Sequence, residues 1–431
     1  MIKLIKNTAR YSALQGEFWM SFCVIFSFAS VYLLKKGFTS SEVGVLIAVA
    51  GTLSAVLQPI VGDVVDRSRK INLHMAILFF SLFIMTAAVL LYCFDMQFWL
   101  TALLYGVMVA VLQVVTPLVN AIGMYYINRG VAINFGIARG IGSLSYALVS
   151  LAVGNLVERY QEPVIPLLVI IIYLCIIVST ATFRFKQAPK FADPETSLLQ
   201  EDMSYVNDSG HEISFETNEK IKPDVSLKPE SELSFFKKYP KFMTLLAGLT
   251  LLFVSHNMLN NFIFQIVQYH GAGSVEMGNV AGLAAALELP TMFLFTYYLK
   301  VVSAGNLLKI SGVFFTLKAL LTYLATGMGM IYAAQFMQMF GFALFVVASV
   351  YYVNEKIAEQ DKVKGQSYMT MTNTAGSVGG SLAAGWLIDS LGVPAMLFAS
   401  VFAGLAGAVL VIISAQGSRG REMMSRSKGS S

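Results

Sequence analysis

Apolar segments long enough to cross a membrane fill almost the whole chain, and they constrain its fold more than any other feature. Each segment approaches the length of about 20 residues that a helix needs to span the hydrocarbon core. Because lipid offers the backbone no hydrogen-bond partners, we expect these segments to be α-helices. They lie near 12–34, 42–63, 73–94, 97–126, 133–157, 163–183, 242–268, 276–299, 306–326, 329–353, 366–388 and 393–415. The sequence thus predicts an all-α integral membrane protein with twelve transmembrane helices.

The composition excludes a soluble protein. Hydrophobic residues make up 56% of the chain and charged residues only 13%, against about 25% charged residues in a typical soluble domain. The lipid bilayer is therefore the expected partner of most of the surface. The first apolar segment lacks a small-residue cleavage site, so we interpret it as a helix of the mature protein and not as a signal peptide.

Charge placement predicts the orientation. The chain has 30 Lys and Arg residues, and nearly all of them fall on alternate loops, while Lys35, Lys36 and Arg159 fall on the opposite side. Loops rich in Lys and Arg stay in the cytoplasm. We therefore expect a multi-pass protein of the cell (plasma) membrane with both termini and the 184–241 loop inside. The net charge of +5 then reflects topology and does not indicate nucleic-acid binding.

A polar segment divides the chain in two. Residues 185–240 form a linker of mixed charge with few aromatic residues, which favours a flexible tether, although a regulatory role is the alternative. We expect six-helix bundles over 1–184 and 241–416, followed by a cytoplasmic tail over 417–431. Six helices, a linker and six helices is typical of two bundles related by an axis along the membrane normal.

The segment GDVVDRSRK, residues 62–70, resembles the signature of the major facilitator superfamily between its second and third helices. Gly62, Asp66, Arg67 and Lys70 match, while Arg69 stands where the family has glycine. Gly62 would permit close helix contact, and Asp66 would accept hydrogen bonds from Arg67 or from a neighbouring helix start. These residues would form a conformational latch; an ordinary positively charged inside loop is the alternative.

Further segments are similar to the lactose permease branch of that superfamily, the oligosaccharide:proton symporter-like branch. They are PLVNAIGMYYINRGVAINFGIARGIGSLSYAL, the FWM after Glu17, QPIVGDVVDR and SVGGSLAAGWLIDSLG. That branch also includes permeases proposed for nucleosides and aromatic acids, so it does not name a substrate. The resemblance implies a proton-coupled carrier that works by alternating access. A cavity enclosed by one chain needs no partner chain, which favours a monomer.

The resemblance also implies roles for residues of the first half. Arg139 falls at the position of the substrate-binding arginine, and Tyr146 at that of the sugar-stacking tryptophan. An arginine at this depth costs a few kcal/mol unless it is paired or faces water. Asn120 aligns, across one inserted residue, with the acidic partner of that arginine. An amide does not neutralise Arg139, so either an anionic substrate is favoured or Glu288 pairs with Arg139 across the cavity.

In the second half, Glu288 and Lys318 match family positions that hold an acid and a base. The histidine, glutamate and lysine of the family's tenth helix are replaced by Gln338, Gly341 and Gln335. Glu288 is then the only acidic residue expected at mid-membrane depth. Our hypothesis is that Glu288 carries the proton, Lys318 sets its proton affinity, and Gln335 and Gln338 bind substrate. A static Glu288–Lys318 ion pair is the alternative.

Polar residues also follow the seventh helix. Asn257, Asn260 and Asn261 share one helical face and would either line a hydrophilic cavity or hydrogen-bond neighbouring helices. We include Asn257 and Asn261 among the substrate-binding residues. A lone His256 is more typical of a structural residue than of a metal ligand.

The sequence contains no motif for metal binding, for paired cysteines or for nucleotide binding. The sequence has three cysteines without a CxxC motif and no phosphate-binding GxxxxGK[ST] motif. We therefore expect a transporter without cofactor or metal and not an enzyme. Proton symport of a small polar solute is the first interpretation. Proton-antiport efflux of an amphipathic compound and a non-transporting membrane sensor are the alternatives.

Overall fold

The computed structural model describes residues 2–68, 72–183 and 232–417, and the regular elements in these ranges are helices. Seven α-helices precede the linker. They are α1 (Ile2–Phe22), α2 (Ala29–Lys35), α3 (Ser40–Arg67), α4 (Leu73–Cys93), α5 (Phe98–Ile127), α6 (Phe135–Tyr160) and α7 (Val164–Thr182).

Nine α-helices follow the linker. They are α8 (Glu232–Lys238), α9 (Pro240–Asn261), α10 (Ile263–Tyr269), α11 (Ser274–Val301), α12 (Ala304–Tyr323), α13 (Met328–Gln335), α14 (Phe342–Lys356), α15 (Lys362–Leu391) and α16 (Val393–Ser414). Short 3₁₀ turns, Phe336–Met339 and Glu359–Asp361, precede α14 and α15.

Many of these helices have the length and apolar composition of membrane spans. Within the described ranges nine candidate spans are found, and ten when the bent pair of α1 and α2 counts as one span. The prediction of an all-helical, multi-pass membrane protein is therefore confirmed.

Three of the expected helices are interrupted. The first begins at Ile2 and not near residue 12, and a π-helical turn, Cys23–Ser27, separates α1 from α2. The expected helix 242–268 is broken at Phe262, and the expected helix 329–353 is broken between Gln335 and Phe342. Hydropathy does not register such breaks, because the interrupted segments remain apolar throughout.

The two halves of the molecule meet along two helix pairs, α6 with α11 and α3 with α15. Small residues allow the first contact, because a Cβ added to Gly278 would lie 2.4 Å from the Ser150 carbonyl oxygen. The Ser150 hydroxyl donates to the Gly278 carbonyl oxygen at 2.9 Å. The backbones of α6 and α11 thus approach each other as closely as glycine permits.

The second contact lies at the start of α3. The Asp389 carboxylate, near the end of α15, accepts hydrogen bonds from the backbone N–H groups of Ser40 at 3.1 Å and Ser41 at 2.6 Å. Towards the other ends of α3 and α15, the halves are separated by a cleft of about 830 Å³ between residues such as Gln58 and Gln366. The halves are therefore closed against each other at one face and parted at the other.

Most of the expected linker, residues 184–231, lies outside the described residues, as does the tail from residue 418. The end of the expected linker forms α8 and packs on the second half, with Phe235 only 2% exposed. Lys238 Nζ and Tyr239 Oη both donate to Asp361 Oδ2 at 2.8 Å. The segment just before α9 is therefore attached to the loop that leads into α15.

Candidate functional site

A cavity of about 240 Å³ lies between the two halves. Its walls come from α1, the π-helical turn and α6 on one side, and from α9, α11 and the α13–α14 region on the other. Seven of the residues predicted to form the site line this cavity: Arg139, Tyr146, Asn257, Asn261, Glu288, Gln335 and Gln338. The structure thus brings together side chains that are up to about 200 positions apart in the sequence.

Aromatic rings form much of the first-half wall. The rings of Trp19, Phe22 and Phe26 follow one another along α1 and the π-helical turn, with centroids 5.3 and 5.2 Å apart. The hydroxyls of Tyr146 and Ser27 are hydrogen-bonded at 2.5 Å. The sequence analysis quoted the FWM motif as a family match, but it did not assign Trp19 to the site.

Arg139 lies one turn into α6, whose start is fixed by Asn134. The Asn134 side chain accepts a hydrogen bond from the Ile137 N–H at 3.0 Å, as a helix N-cap does. Arg139 Nη1 donates to Ser143 Oγ at 2.8 Å, and its guanidinium carbon lies 4.1 Å from the Trp19 ring centre. Arg139 forms no ion pair with any residue of the described ranges. The predicted pairing with Glu288 across the cavity is therefore not present.

Asn120 does not line the cavity, contrary to the expectation for a substrate ligand. Its Oδ1 accepts from Gln15 Nε2 at 3.0 Å, and Gln15 Oε1 in turn accepts from Trp19 Nε1 at 3.1 Å. Asn120 is thus connected to Arg139 through Gln15 and Trp19. It orients the wall of the cavity from behind.

Glu288 and Lys318 are joined by one intervening side chain. Lys318 Nζ donates to Gln338 Oε1 at 2.8 Å, and Gln338 Nε2 donates to Glu288 Oε1 at 3.0 Å. The described residues show no direct Glu288–Lys318 ion pair, so the static pair considered above is not formed. Lys318, only 3% exposed, lies behind Gln338 and does not line the cavity.

Lys318 also contacts α9. Its Nζ donates to Asn260 Oδ1 at 3.2 Å, and the Asn260 amide nitrogen lies 2.7 Å from His256 Nε2. The His256 ring is stacked on Phe342, with centroids 5.1 Å apart and planes 6° apart. His256, Asn260 and Phe342 all line the cavity. The sequence indicated that Asn260 could line a cavity, but it assigned neither His256 nor Phe342 to the site.

The other amide side chains of the cavity wall also form hydrogen bonds within the protein. Asn257 Nδ2 donates to the Phe253 carbonyl at 2.9 Å and to Asn373 Oδ1 at 3.3 Å, while Asn261 Nδ2 donates to Ser381 Oγ at 2.9 Å. Gln335 Nε2 donates to the Ile331 carbonyl at 3.2 Å. Asn257 and Asn261 therefore line the cavity and also hydrogen-bond a neighbouring helix. These are the two roles that the sequence analysis considered.

Glu17 is a second carboxylate enclosed among the helices. Glu17 lies well inside α1 because that helix starts ten residues earlier than predicted. Its Oε1 accepts from Ser179 Oγ of α7 at 2.8 Å. Glu17 does not line the central cavity, so the structure separates the two carboxylates.

The predicted latch is only partly within the described residues. Arg67 ends α3 and forms an ion pair with Asp63, one turn earlier, at 2.5 Å. A Cβ added to Gly62 would meet no described heavy atom within 4 Å, because Gly62 is near the parted face of the halves. Asp66 belongs to the last turn of α3, and Lys70 lies outside the described ranges. The latch remains a prediction.

Comparison with protein families gives the identity of the fold and its broad activity. The model of the MFS_1 like family matches residues 14–399, which is most of the chain. The chain belongs to the MFS_1 like family. It is therefore a secondary transporter of the major facilitator superfamily, and it is not an enzyme. Comparison with curated protein sequences gives no match.

Solved structures agree on the fold. A mutant of the nucleoside transporter NupG superposes with a TM-score of 0.73 at 14% identity, covering 95% of this chain and 98% of that one. A peptide transporter, POT, in complex with alafosfalin gives 0.62 at 11% identity, with 94% and 92% covered. A bacterial homologue of the human lysosomal transporter Spinster gives 0.57 at 14% identity, with 96% and 95% covered. At these identities the likeness concerns the fold alone.

Proposed function

We propose that this transporter imports a small polar solute together with a proton, across the cell membrane. The chain would cross the membrane twelve times, with both termini and the 185–240 linker in the cytoplasm and one chain forming the complete carrier. The charge distribution on alternate loops supports this orientation. The parted face of the two halves lies at the Arg67 end of α3 and would then be the cytoplasmic face.

The observation that carries the proposal is the sharing of one cavity by Arg139 and Glu288, each from a different half and without a direct ion pair. A solute in this cavity would contact both halves at once. Its binding would then favour the conformations in which the halves close around it, as alternating access requires.

The walls of the cavity indicate the class of solute. Arg139 offers several N–H donors, of which one bonds Ser143, so a carboxylate or a group of hydroxyls would find donors there. Tyr146 and the rings of Trp19, Phe22 and Phe26 suit a flat or partly apolar body. Asn257, Asn261 and Gln335 supply amide groups opposite. This amide-rich wall favours a polar solute over the amphipathic compound of an efflux carrier.

Glu288 is the proposed proton carrier. Membrane-buried acids are functional by default, and this one faces the cavity, where a proton and a solute would arrive by the same path. Lys318 is held one amide away and would set the balance between the charged and neutral forms of Glu288. Asn120, through Gln15 and Trp19, would orient the wall that holds Arg139.

Ligand-dependent thermal stability tests this proposal. The detergent-purified protein and Arg139→Ala would be heated with a panel of sugars, nucleosides, aromatic acids and cationic drugs. A ligand at about 100 times its Kd stabilises the folded state by about 2.7 kcal/mol, which raises Tm. We expect one class of polar solute to raise Tm in the wild type and not in the variant. A rise with cationic drugs alone, equal in both proteins, would instead identify an exporter.

A further inference from the structure

The span formed by α13 and α14 is broken where it passes the cavity. The chain follows a 3₁₀ turn over Phe336–Met339, and α14 starts only after Gly341. Such a break frees backbone carbonyls that must find partners in a low-dielectric interior. Here Thr291 Oγ1 of α11 donates to the Met339 carbonyl at 2.8 Å. Ser311 Oγ of α12 donates at 2.8 Å to the Gly341 carbonyl, which also accepts from the Phe345 N–H of α14 at 3.1 Å.

Helices α11 and α12 also contact the 3₁₀ turn through one charged residue each. Glu288 of α11 lies three residues before Thr291, and Lys318 of α12 lies seven residues after Ser311, so each pair shares one helical face. Glu288 and Lys318 both hydrogen-bond Gln338, which lies in the turn. Each helix therefore has one neutral and one charged contact with the broken segment.

The hydrogen bonds at Gln338 depend on the protonation state of Glu288, whereas those from Thr291 and Ser311 do not. Lys318 Nζ donates to the side-chain oxygen Oε1 of Gln338. This hydrogen bond directs the side-chain N–H group of Gln338 towards Glu288. A hydrogen bond to an ionised carboxylate is roughly twice as strong as one between neutral groups. Protonation of Glu288 would weaken the contact at Gln338, while those of Thr291 and Ser311 persist.

We propose that Gln338 is a positioning residue that links the charge on Glu288 to the angle between α13 and α14. Both ends of its amide are already bonded within the protein, which distinguishes it from a side chain that awaits solute. The inference rests on the proposed proton coupling. It identifies the broken α13–α14 span as the part of the protein that moves when Glu288 gains or loses a proton. The other titratable groups near Glu288 are Arg139 and Tyr146 of α6 across the cavity, Lys318 of α12, and His256 of α9 through Asn260.

A distance measurement within the second half tests this link without knowledge of the solute. Spin labels at Ala333→Cys in α13 and Val350→Cys in α14, both exposed positions, would be placed in a protein whose Cys23, Cys93 and Cys175 are replaced by serine. Both labels lie in the same half, so movement between the halves does not contribute to the distance. The distribution would be recorded by pulsed electron paramagnetic resonance from about pH 5 to about pH 8.

We expect the ratio of two distance populations to change by about tenfold over this range in the otherwise wild-type protein. Glu288→Gln should show the low-pH distribution throughout. Gln338→Met, of similar length but without the amide, should change by less than about twofold. Gln338→Leu is the second variant should the first not fold. Phe336→Leu is the matched control, because Phe336 belongs to the same turn but is 51% exposed, and it should behave as the wild type.

A Gln338→Met protein with an unaltered pH dependence would overturn the positioning role. So would a wild type whose distances do not change with pH, even when that protein accumulates solute under a pH gradient; in that case proton coupling stands and the link to the turn fails. Conversely, pH-dependent distances in a protein that transports no solute of the panel would support the link and overturn the proposed function.

Discussion

The guanidinium carbon of Arg139 lies 4.1 Å from the centre of the Trp19 ring, so the cation rests on the face of the indole. The indole N–H is in turn held by Gln15 at 3.1 Å, which fixes the ring. The only hydrogen bond from the guanidinium to a described residue goes to Ser143. Trp19 therefore orients the cavity-lining cation without neutralising it.

Replacement of Trp19 by leucine should weaken solute binding. A cation–π contact is worth about 0.5–2 kcal/mol, so Kd should rise by about two- to thirtyfold, because Arg139 loses its fixed orientation. Isothermal titration of the purified protein would measure Kd. Trp99→Leu is the matched control, since Trp99 is 81% exposed and does not line the cavity. Equal effects of the two substitutions would contradict a role of Trp19 in the site.

Gly278→Ala should open the closed face of the molecule. The new Cβ would lie 2.4 Å from the Ser150 carbonyl, and overpacking of this kind costs about 1–3 kcal/mol. Spin labels at Tyr160 and Tyr269, exposed near the ends of α6 and α10, would report the separation of the halves. We expect the longer distance to gain population by about fivefold or more.

The control for that substitution is Gly329→Ala, because a Cβ there meets no described atom within 4 Å. It should leave the distances unchanged. An unaltered distribution in Gly278→Ala would show that the α6–α11 contact does not restrain the closed face.

Asp389→Asn should act in the same direction with a smaller effect. The carboxylate caps the start of α3 from the other half of the molecule, and a charge at a helix N-terminus contributes about 0.3–1 kcal/mol. The longer distance between labels at Tyr160 and Tyr269 should gain about two- to fivefold. Asp95→Asn is the control, since Asp95 is 96% exposed and pairs only loosely with Lys36 at 3.5 Å. A larger change in Asp95→Asn would refute the role of Asp389.

The attachment of α8 should depend on pH through Asp361. The hydrogen bond from Lys238 holds the pKa of the Asp361 carboxyl below its usual value, and Tyr239 adds to this. Because this pKa is lower in the folded state, the stabilisation is present above the unfolded pKa of about 4 and is lost as pH falls through the folded pKa. Wild type should therefore exceed Asp361→Asn in Tm by a few degrees near neutral pH, with the difference vanishing in acid.

Scanning fluorimetry over a pH series would measure these Tm values. Lys238→Met should lower Tm in the same direction, and the double variant should lose less than the sum of the two single variants, because both substitutions remove the Lys238–Asp361 hydrogen bond. Asp63→Asn serves as a control, since the Asp63–Arg67 pair is largely exposed and should contribute little. A Tm difference that is independent of pH would contradict this account of Asp361.

The sequence predicted the helical membrane fold because long apolar segments in lipid have few alternatives. It also predicted the charged residues of the cavity wall, since a buried Arg139 or Glu288 is expensive in a membrane and therefore conspicuous. It did not predict Trp19, Phe22 or Phe26, because aromatic residues are frequent in every span and their facing direction depends on packing.

The wrong predictions for the site also arise because packing between helices is not visible in the sequence. Asn120 was expected to bind solute, but the packing of α1 places Gln15 and Trp19 between it and the cavity. The break before Gly341 was invisible because partners for its carbonyls come from Thr291 and Ser311 on other helices. Hydropathy along one segment contains no information on such partners.

Solute accumulation by proteoliposomes tests the central claim most directly. Wild type and Glu288→Gln would be reconstituted, and uptake of the radiolabelled solute that stabilises the protein would be followed with and without an imposed pH gradient, acid outside. We predict accumulation above equilibrium by the wild type, whereas Glu288→Gln should exchange solute but not concentrate it. Accumulation by Glu288→Gln that is still driven by the pH gradient would contradict the assignment of Glu288 as the proton carrier.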